Sequence, residues 1–358
     1  MNDRIIDDIT ALLPPLLHAL DGLAFVARYF HPPEIEALIQ ALGAPDAPLR
    51  ELRARLDTWP DGFSDLRTEL SAATDTVIAA HAGLRHALEA GDLRGILRAL
   101  RLATQAQETL YPFCARLPPV GEFFLDPSVT ADDPVRAKLT APPLPGTGVF
   151  HEANESAQRG GYSVYVPEYP PPPAGWPLVM ALHGGSGHGR AFLWTWLRDA
   201  RSFGAIIVAP TAIGPTWALS GNDVDSPNLS RILASVRARW TVNGSQLLLT
   251  GLSDGGTFCY VSGLDPASPF THLAPVAASF HPMLASMADA ERMSGLPVCL
   301  VHGQHDWMFP VEIARNARDT LTERGADVTY RELDNLSHTW PREENLAMLQ
   351  WLRETTKG

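Results

Sequence analysis

The segment Gln246-Leu-Leu-Leu-Thr-Gly-Leu-Ser-Asp-Gly-Gly-Thr-Phe-Cys-Tyr-Val261 decides the fold. Residues 246–250 form an apolar run that reads as a buried strand, and residues 256–261 read as the start of a helix. Between them lies Gly251-Leu-Ser-Asp-Gly255, a sharp turn with Ser253 at its apex. A serine at such an apex has a strained backbone, and the strain pushes its Oγ out above the sheet. Small residues two before and two after it let strand and helix approach closely.

Outward from this segment, strands and helices alternate. Residues 161–166 alternate in polarity like a strand. Residues 178–182 form a continuous apolar strand ending at His183, and 205–209, 273–278, 298–301 and 328–333 supply further strands. Helical stretches fall at 191–201, 228–240 and 311–324. Fully apolar strands alternating with helices predict an α/β domain with a mostly parallel sheet covered on both faces. Ligands of such sheets sit beyond the carboxyl ends of the strands.

Four of those strand ends carry chemistry: His183-Gly-Gly-Ser-Gly187, the turn at Ser253, His302-Gly-Gln-His-Asp-Trp307, and Asp334-Asn-Leu-Ser-His338. A serine hydroxyl is a weak nucleophile. It needs a base within hydrogen-bond reach, and the base needs an orienting acid. Ser253 is read as the nucleophile, His338 as the base and Asp306 as the orienter. A carbonyl under attack develops negative charge, which two backbone N–H groups must meet. The Asp254 amide, at the helix start, and the Gly185 amide, in the His-Gly-Gly turn, are the candidates. The chain order Ser253, Asp306, His338 is that of one hydrolase superfamily and differs from the two protease orders.

On these residues the chain from about 149 to 351 resembles the α/β-hydrolase superfamily, in its phospholipase/carboxylesterase group, with feruloyl esterases and polyhydroxybutyrate depolymerase-like esterases as relatives. The carrying residues are Leu182-His-Gly-Gly-Ser-Gly187, Gly251-Leu-Ser-Asp-Gly-Gly256, Gly303-Gln-His-Asp306 with Pro310, and His338. The resemblance implies an α/β-hydrolase fold and a serine esterase that acts on carboxylic esters without a cofactor. It covers a little over half the chain and fixes no substrate.

Several residues compete for the same roles. Asp334 lies near His338 and could serve as the acid, but it sits on the base's own loop and suits a turn. His183, His302 and His305 suit structural roles. Gly185-Ser-Gly-His-Gly189 lacks both the ending of a P-loop and the spacing of a dinucleotide fingerprint. No His-Glu-x-x-His or Cys-x-x-Cys occurs, so no catalytic metal is expected; His81 and His86 are unsuited as ligands. Trp194, Trp196, Trp217, Trp307 and Phe309 lie near strand ends as wall or core. Trp217 and Trp307 directly follow such ends and are the pocket candidates for an apolar or aromatic group. A serine peptidase of the same fold and a non-catalytic binding protein are the alternative functions.

The 358 residues carry a formal charge of −12, which disfavours nucleic acid as a partner. The partner expected is a small-molecule ester. Residues 1–118 read as an all-helical domain that caps the site or mediates association, possible homo-oligomerisation included. Residues 119–148 read as a proline-rich connection, and 149–358 as the catalytic domain. The start of the chain lacks a signal peptide's basic region. The apolar stretch 11–30 is interrupted by Pro14, Pro15, His18, Asp21 and Arg28 and is not expected to span a bilayer. Cys114, Cys259 and Cys299 cannot all pair, and Cys259 and Cys299 read as buried thiols. A cytoplasmic location is the simplest expectation.

Overall fold

The computed structural model describes residues 2–356. The chain divides into two compact units, one up to Asp126 and one from Pro127 onward.

The first unit is helical: α1 (Asn2–Arg28), α2 (Ile35–Leu42), α3 (Leu49–Leu56), α4 (Ser64–Glu89), α5 (Leu93–Leu110) and α6 (Pro118–Phe123). Helix α1 runs through Pro14 and Pro15, each of which removes a backbone hydrogen bond. Packing offsets that loss, because Leu12, Leu16, Leu20 and Leu23 recur at helical spacing and are fully buried. By length and composition alone this helix could cross a bilayer, but half of its apolar window is buried inside the protein. Gly91, at φ +62°, turns the chain between α4 and α5, and Asp92 holds the N-cap position of the latter, its carbonyl accepting from the Ile96 amide at 3.0 Å. Buried His81 donates from Nε2 to the Ala19 carbonyl at 3.0 Å, and desolvation lowers its pKa. Arg85 grips the buried Asp46 carboxylate with two bonds, at 2.8 and 2.7 Å.

The segment 119–148 is not wholly irregular. It holds the body of α6 and all of α7 (Pro134–Leu139), and both helices begin with proline in the first turn. Proline is tolerated there because its missing N–H would have no helical partner.

The second unit is mixed α/β. Its strands are β1 (Gly148–Glu152), β2 (Tyr162–Val166), β3 (Trp176–Leu182), β4 (Ile206–Pro210), β5 (Val242–Leu252), β6 (His272–Val276), β7 (Pro297–Gly303) and β8 (Asp327–Leu333). They form one eight-stranded sheet in the order β1-β2-β4-β3-β5-β6-β7-β8. β1 and β2 pair antiparallel, as do β2 and β4; every other pair is parallel. The helices are α8 (Gly189–Phe192), α9 (Leu197–Phe203), α10 (Asp225–Arg239), α11 (Asp254–Gly263), α12 (Pro282–Met287), α13 (Ala290–Met293), α14 (Val311–Glu323) and α15 (Glu344–Glu354).

The sheet follows from its apolar strands. β2, β3, β4 and β6 are buried along their whole length, as expected of strands covered on both faces. From β3 the chain moves to β4 on one side, then crosses to β5 on the other. Strand order therefore reverses around β3, and the crevice that such a reversal opens lies at the carboxyl ends of β3 and β5. Cys259 and Cys299 are buried free thiols, and burial pushes the Cys299 pKa up to about 12.

Candidate active site

Ser253 follows the last residue of β5 and precedes α11. Its backbone sits at φ +55°, a conformation that costs a non-glycine residue roughly 1–3 kcal/mol. Crowding explains its neighbours. A Cβ on Gly251 would lie 2.5 Å from the Gly255 backbone, and one on Gly255 would lie 2.5 Å from the His183 carbonyl. The first glycine lets the helix approach its own strand; the second lets it approach β3. The Ser253 amide continues the ladder by donating to the Val276 carbonyl at 3.0 Å. Among the described residues, the non-glycine residues at positive φ are Ala153, Ser186, Ser253 and Ala277. The last three follow β3, β5 and β6, so strain concentrates at the carboxyl ends of the central strands.

Asp306 and His338 meet at the same end of the sheet. His338 donates from Nδ1 to Asp306 Oδ2 at 2.8 Å. Asp306 Oδ1 accepts from the amides of Met308 and Phe309 at 2.9 and 2.8 Å. Burial pushes the Asp306 carboxyl pKa up, but the His338 hydrogen bond, the two amides and the His338 charge outweigh it and hold the group below its ordinary value. Gly303 makes this meeting possible: a Cβ there would lie 2.0 Å from the Leu336 carbonyl. The loop after β8 thus passes directly over the end of β7, and His305 N–H donates to that carbonyl at 3.0 Å. The partner of His338 is Asp306, not Asp334. His302 is buried and donates to the Phe309 carbonyl at 2.8 Å, bracing the Asp306 turn. The structure brings acid and base together. It does not join the Ser253 hydroxyl to the His338 ring by a hydrogen bond.

The turn after β3 lies over the serine, since a Cβ on Gly184 would be 3.6 Å from the Ser253 Cβ. Gly185 is exposed on this turn. Asp254 is the first residue of α11, so no helical carbonyl takes its amide. His183 anchors the turn: its Nε2 accepts from the Ala212 amide at 3.1 Å, and its Nδ1 donates to the Gly184 carbonyl at 2.7 Å. These bonds define the neutral tautomer, and desolvation lowers the His183 pKa to about 4.

The two pocket candidates differ. Trp307 is 52% exposed, with its ring 6.3 Å from that of His338. Trp217 is buried. Its indole N–H donates to the His183 carbonyl at 2.7 Å, and its ring stacks on Phe258 at 5.5 Å. Trp217 supports the turn from within the core and offers no open wall. Sequence reasoning missed Arg159, which donates to the carbonyls of Gly187 and Gly214 at 2.8 and 2.9 Å. It also missed Thr216, whose hydroxyl donates to Asp254 Oδ2 at 2.5 Å. Among the described residues no cluster of three or more His, Cys, Asp or Glu could hold a metal ion.

No family model matches this chain. Solved structures similar to it are esterases and serine hydrolases. A thermostable esterase is 20% identical, with a TM-score of 0.46 over 57% of this chain and 62% of that one. Esterase PE8 is 23% identical, with a TM-score of 0.41 over 52% of this chain and 96% of that one. FphF, a fluorophosphonate-binding serine hydrolase of Staphylococcus aureus, is 12% identical, with a TM-score of 0.46 over 60% of this chain and all of that one. The chain thus spans about three fifths of the length of the first of these.

Proposed function

We propose that this protein is a serine esterase of the α/β-hydrolase type, hydrolysing carboxylic esters through an acyl-enzyme. The observation that carries the reading is the 2.8 Å pair of His338 Nδ1 and Asp306 Oδ2, set at the same end of the sheet as a strained serine. Asp306 fixes the ring with Nδ1 protonated, which leaves Nε2 as the basic nitrogen. In free enzymes the serine–histidine bond is often long and tightens when substrate fills the site.

Ser253 Oγ attacks the ester carbonyl while His338 Nε2 takes its proton. The oxygen of the tetrahedral intermediate carries the negative charge and meets the amides of Gly185 and Asp254. As the C–O bond to the alcohol breaks, His338 returns the proton to the leaving oxygen. Water then attacks the acyl-enzyme with His338 as base. The acid leaves, and Ser253 regains its proton. The exposed Trp307 beside the His338 ring suits an apolar or aromatic portion of the substrate.

Matched short, long and aromatic acyl esters, with the corresponding amides, test this reading. Ester turnover that disappears in a folded Ser253→Ala variant is the expected result. Turnover retained in that variant, or amides cleaved in preference to esters, would contradict it.

A further inference from the structure

The connection from β4 to α10, residues 211–224, touches both halves of the site without supplying a group to the chemistry. It is tied to the turn after β3 by three links. The Ala212 amide donates to His183 Nε2 at 3.1 Å. The Trp217 indole donates to the His183 carbonyl at 2.7 Å. Arg159 bridges the Gly187 carbonyl, at 2.8 Å, to the carbonyls of Gly214 and Pro215, at 2.5 and 3.2 Å. To the head of α11 the connection is tied by Thr216, which donates to Asp254 Oδ2 at 2.5 Å. That same oxygen lies 2.8 Å from where a Cβ on Gly185 would sit. Asp225, buried, braces the connection by accepting from the amides of Ile213 and Ala218, both at 2.9 Å.

Gly185 and Asp254 follow the neighbouring strands β3 and β5, whose pairing up to Leu182 and Gly251 brings them close, and the contacts beyond the strand ends fix the final spacing of their amides. A misplacement of about 1 Å can cost on the order of 100-fold in rate. We propose that residues 211–219 set the distance between the two oxyanion amides, and that Thr216 is a positioning residue acting through the Asp254 carboxylate. The proposal rests on the serine-esterase reading. Thr216 touches no reacting atom. It fixes the side chain of the residue whose own amide faces the oxyanion, while the other three links fix the turn that carries Gly185.

The test uses the full-length protein with Thr216→Val, Thr216→Ser, Asp254→Ala and the Thr216→Val/Asp254→Ala double variant. Each is checked for folding by its thermal transition. The readouts are steady-state ester hydrolysis and the rate of Ser253 labelling by a fluorophosphonate. Thr216→Val should lower kcat by about tenfold to a hundredfold and slow labelling, with KM within about twofold. Thr216→Ser, which keeps the hydroxyl, should restore most of the loss. The double variant should lose no more than the worse single, because both singles break one bond. If Thr216→Val does not fold, Thr216→Ala with Asp254→Ala reads the same cycle. Unchanged kcat in the threonine variants, an effect on KM alone, or additive losses would overturn the proposal. A wild-type protein that fails to label at Ser253 would instead sink the esterase reading, and this proposal with it.

Discussion

His338 Nδ1 and Asp306 Oδ2 are 2.8 Å apart, although 32 residues separate them in the chain. The contact follows from the β7–β8 pairing, which aligns Gly303 with Leu333, and from the glycine that lets the following loop fold back over β7. The Asp306 carboxylate is satisfied on its other oxygen by two backbone amides, so it is fixed before it meets the ring.

Asp306→Asn should therefore keep the fold and lose the tautomer. An amide in this place can present a donor to Nδ1 and leave the proton on Nε2, where it blocks the base. The expected loss is on the order of 10³–10⁴ in kcat with KM little changed, measured by steady-state hydrolysis. The native carboxyl titrates below its ordinary value. Its contribution to stability is complete above that ordinary value and is lost as pH falls through the folded value. Acid unfolding curves of the variant should lack this component.

Gly303→Ala tests the loop that carries the base. Its Cβ would fall 2.0 Å from the Leu336 carbonyl, a clash with backbone that no rotamer relieves. Destabilisation of at least about 2 kcal/mol is expected. The remaining folded protein should hydrolyse esters far more slowly than its folded fraction accounts for, because the His338 loop must move. Wild-type activity per folded molecule would show that this approach does not position His338.

His183 should make the protein sensitive to mild acid. Its folded pKa, near 4, lies below the ordinary value of about 6.5. Between those values the unfolded chain binds a proton that the native state refuses, so stability declines as pH falls from about 6.5 toward 4. The full effect is roughly 3 kcal/mol. Thermal melts of His183→Gln across this range should show a shallower decline than the wild type. Parallel declines would place the acid sensitivity elsewhere.

Much of this was legible because burial on both faces writes strands as unbroken apolar runs. Strands β3 to β7 could be read that way and β2 by the alternation of residues 161–166, whereas β8 is partly exposed along its whole length and carries no such run; Ser253, Asp306 and His338 stood out at the carboxyl ends of the strands. β1 could not: it is an edge strand carrying His151 and Glu152, only partly buried, with no apolar run to mark it. Helix α15 also went unread, although Met348, Leu349 and Leu352 are buried on one side of it. Arg159, Thr216 and Asp225 were invisible for a different reason. The roles of Arg159 and Thr216 come from bonds to residues distant in the chain, 55 positions from Arg159 to Gly214 and 38 from Thr216 to Asp254, and Asp225 acts on backbone amides of an irregular loop, 12 and 7 positions before it. No local pattern records such partners. Trp217 was legible as a residue near the site, but only the structure shows its indole turned to the His183 carbonyl.

Everything proposed for the site depends on Ser253 as the nucleophile. Intact-mass and peptide mapping of the protein after a fluorophosphonate probe measures this directly. One adduct is expected, on Ser253, absent from Ser253→Ala and formed much more slowly in His338→Gln. No adduct on the native protein, or an adduct on another residue that persists in Ser253→Ala, would contradict it.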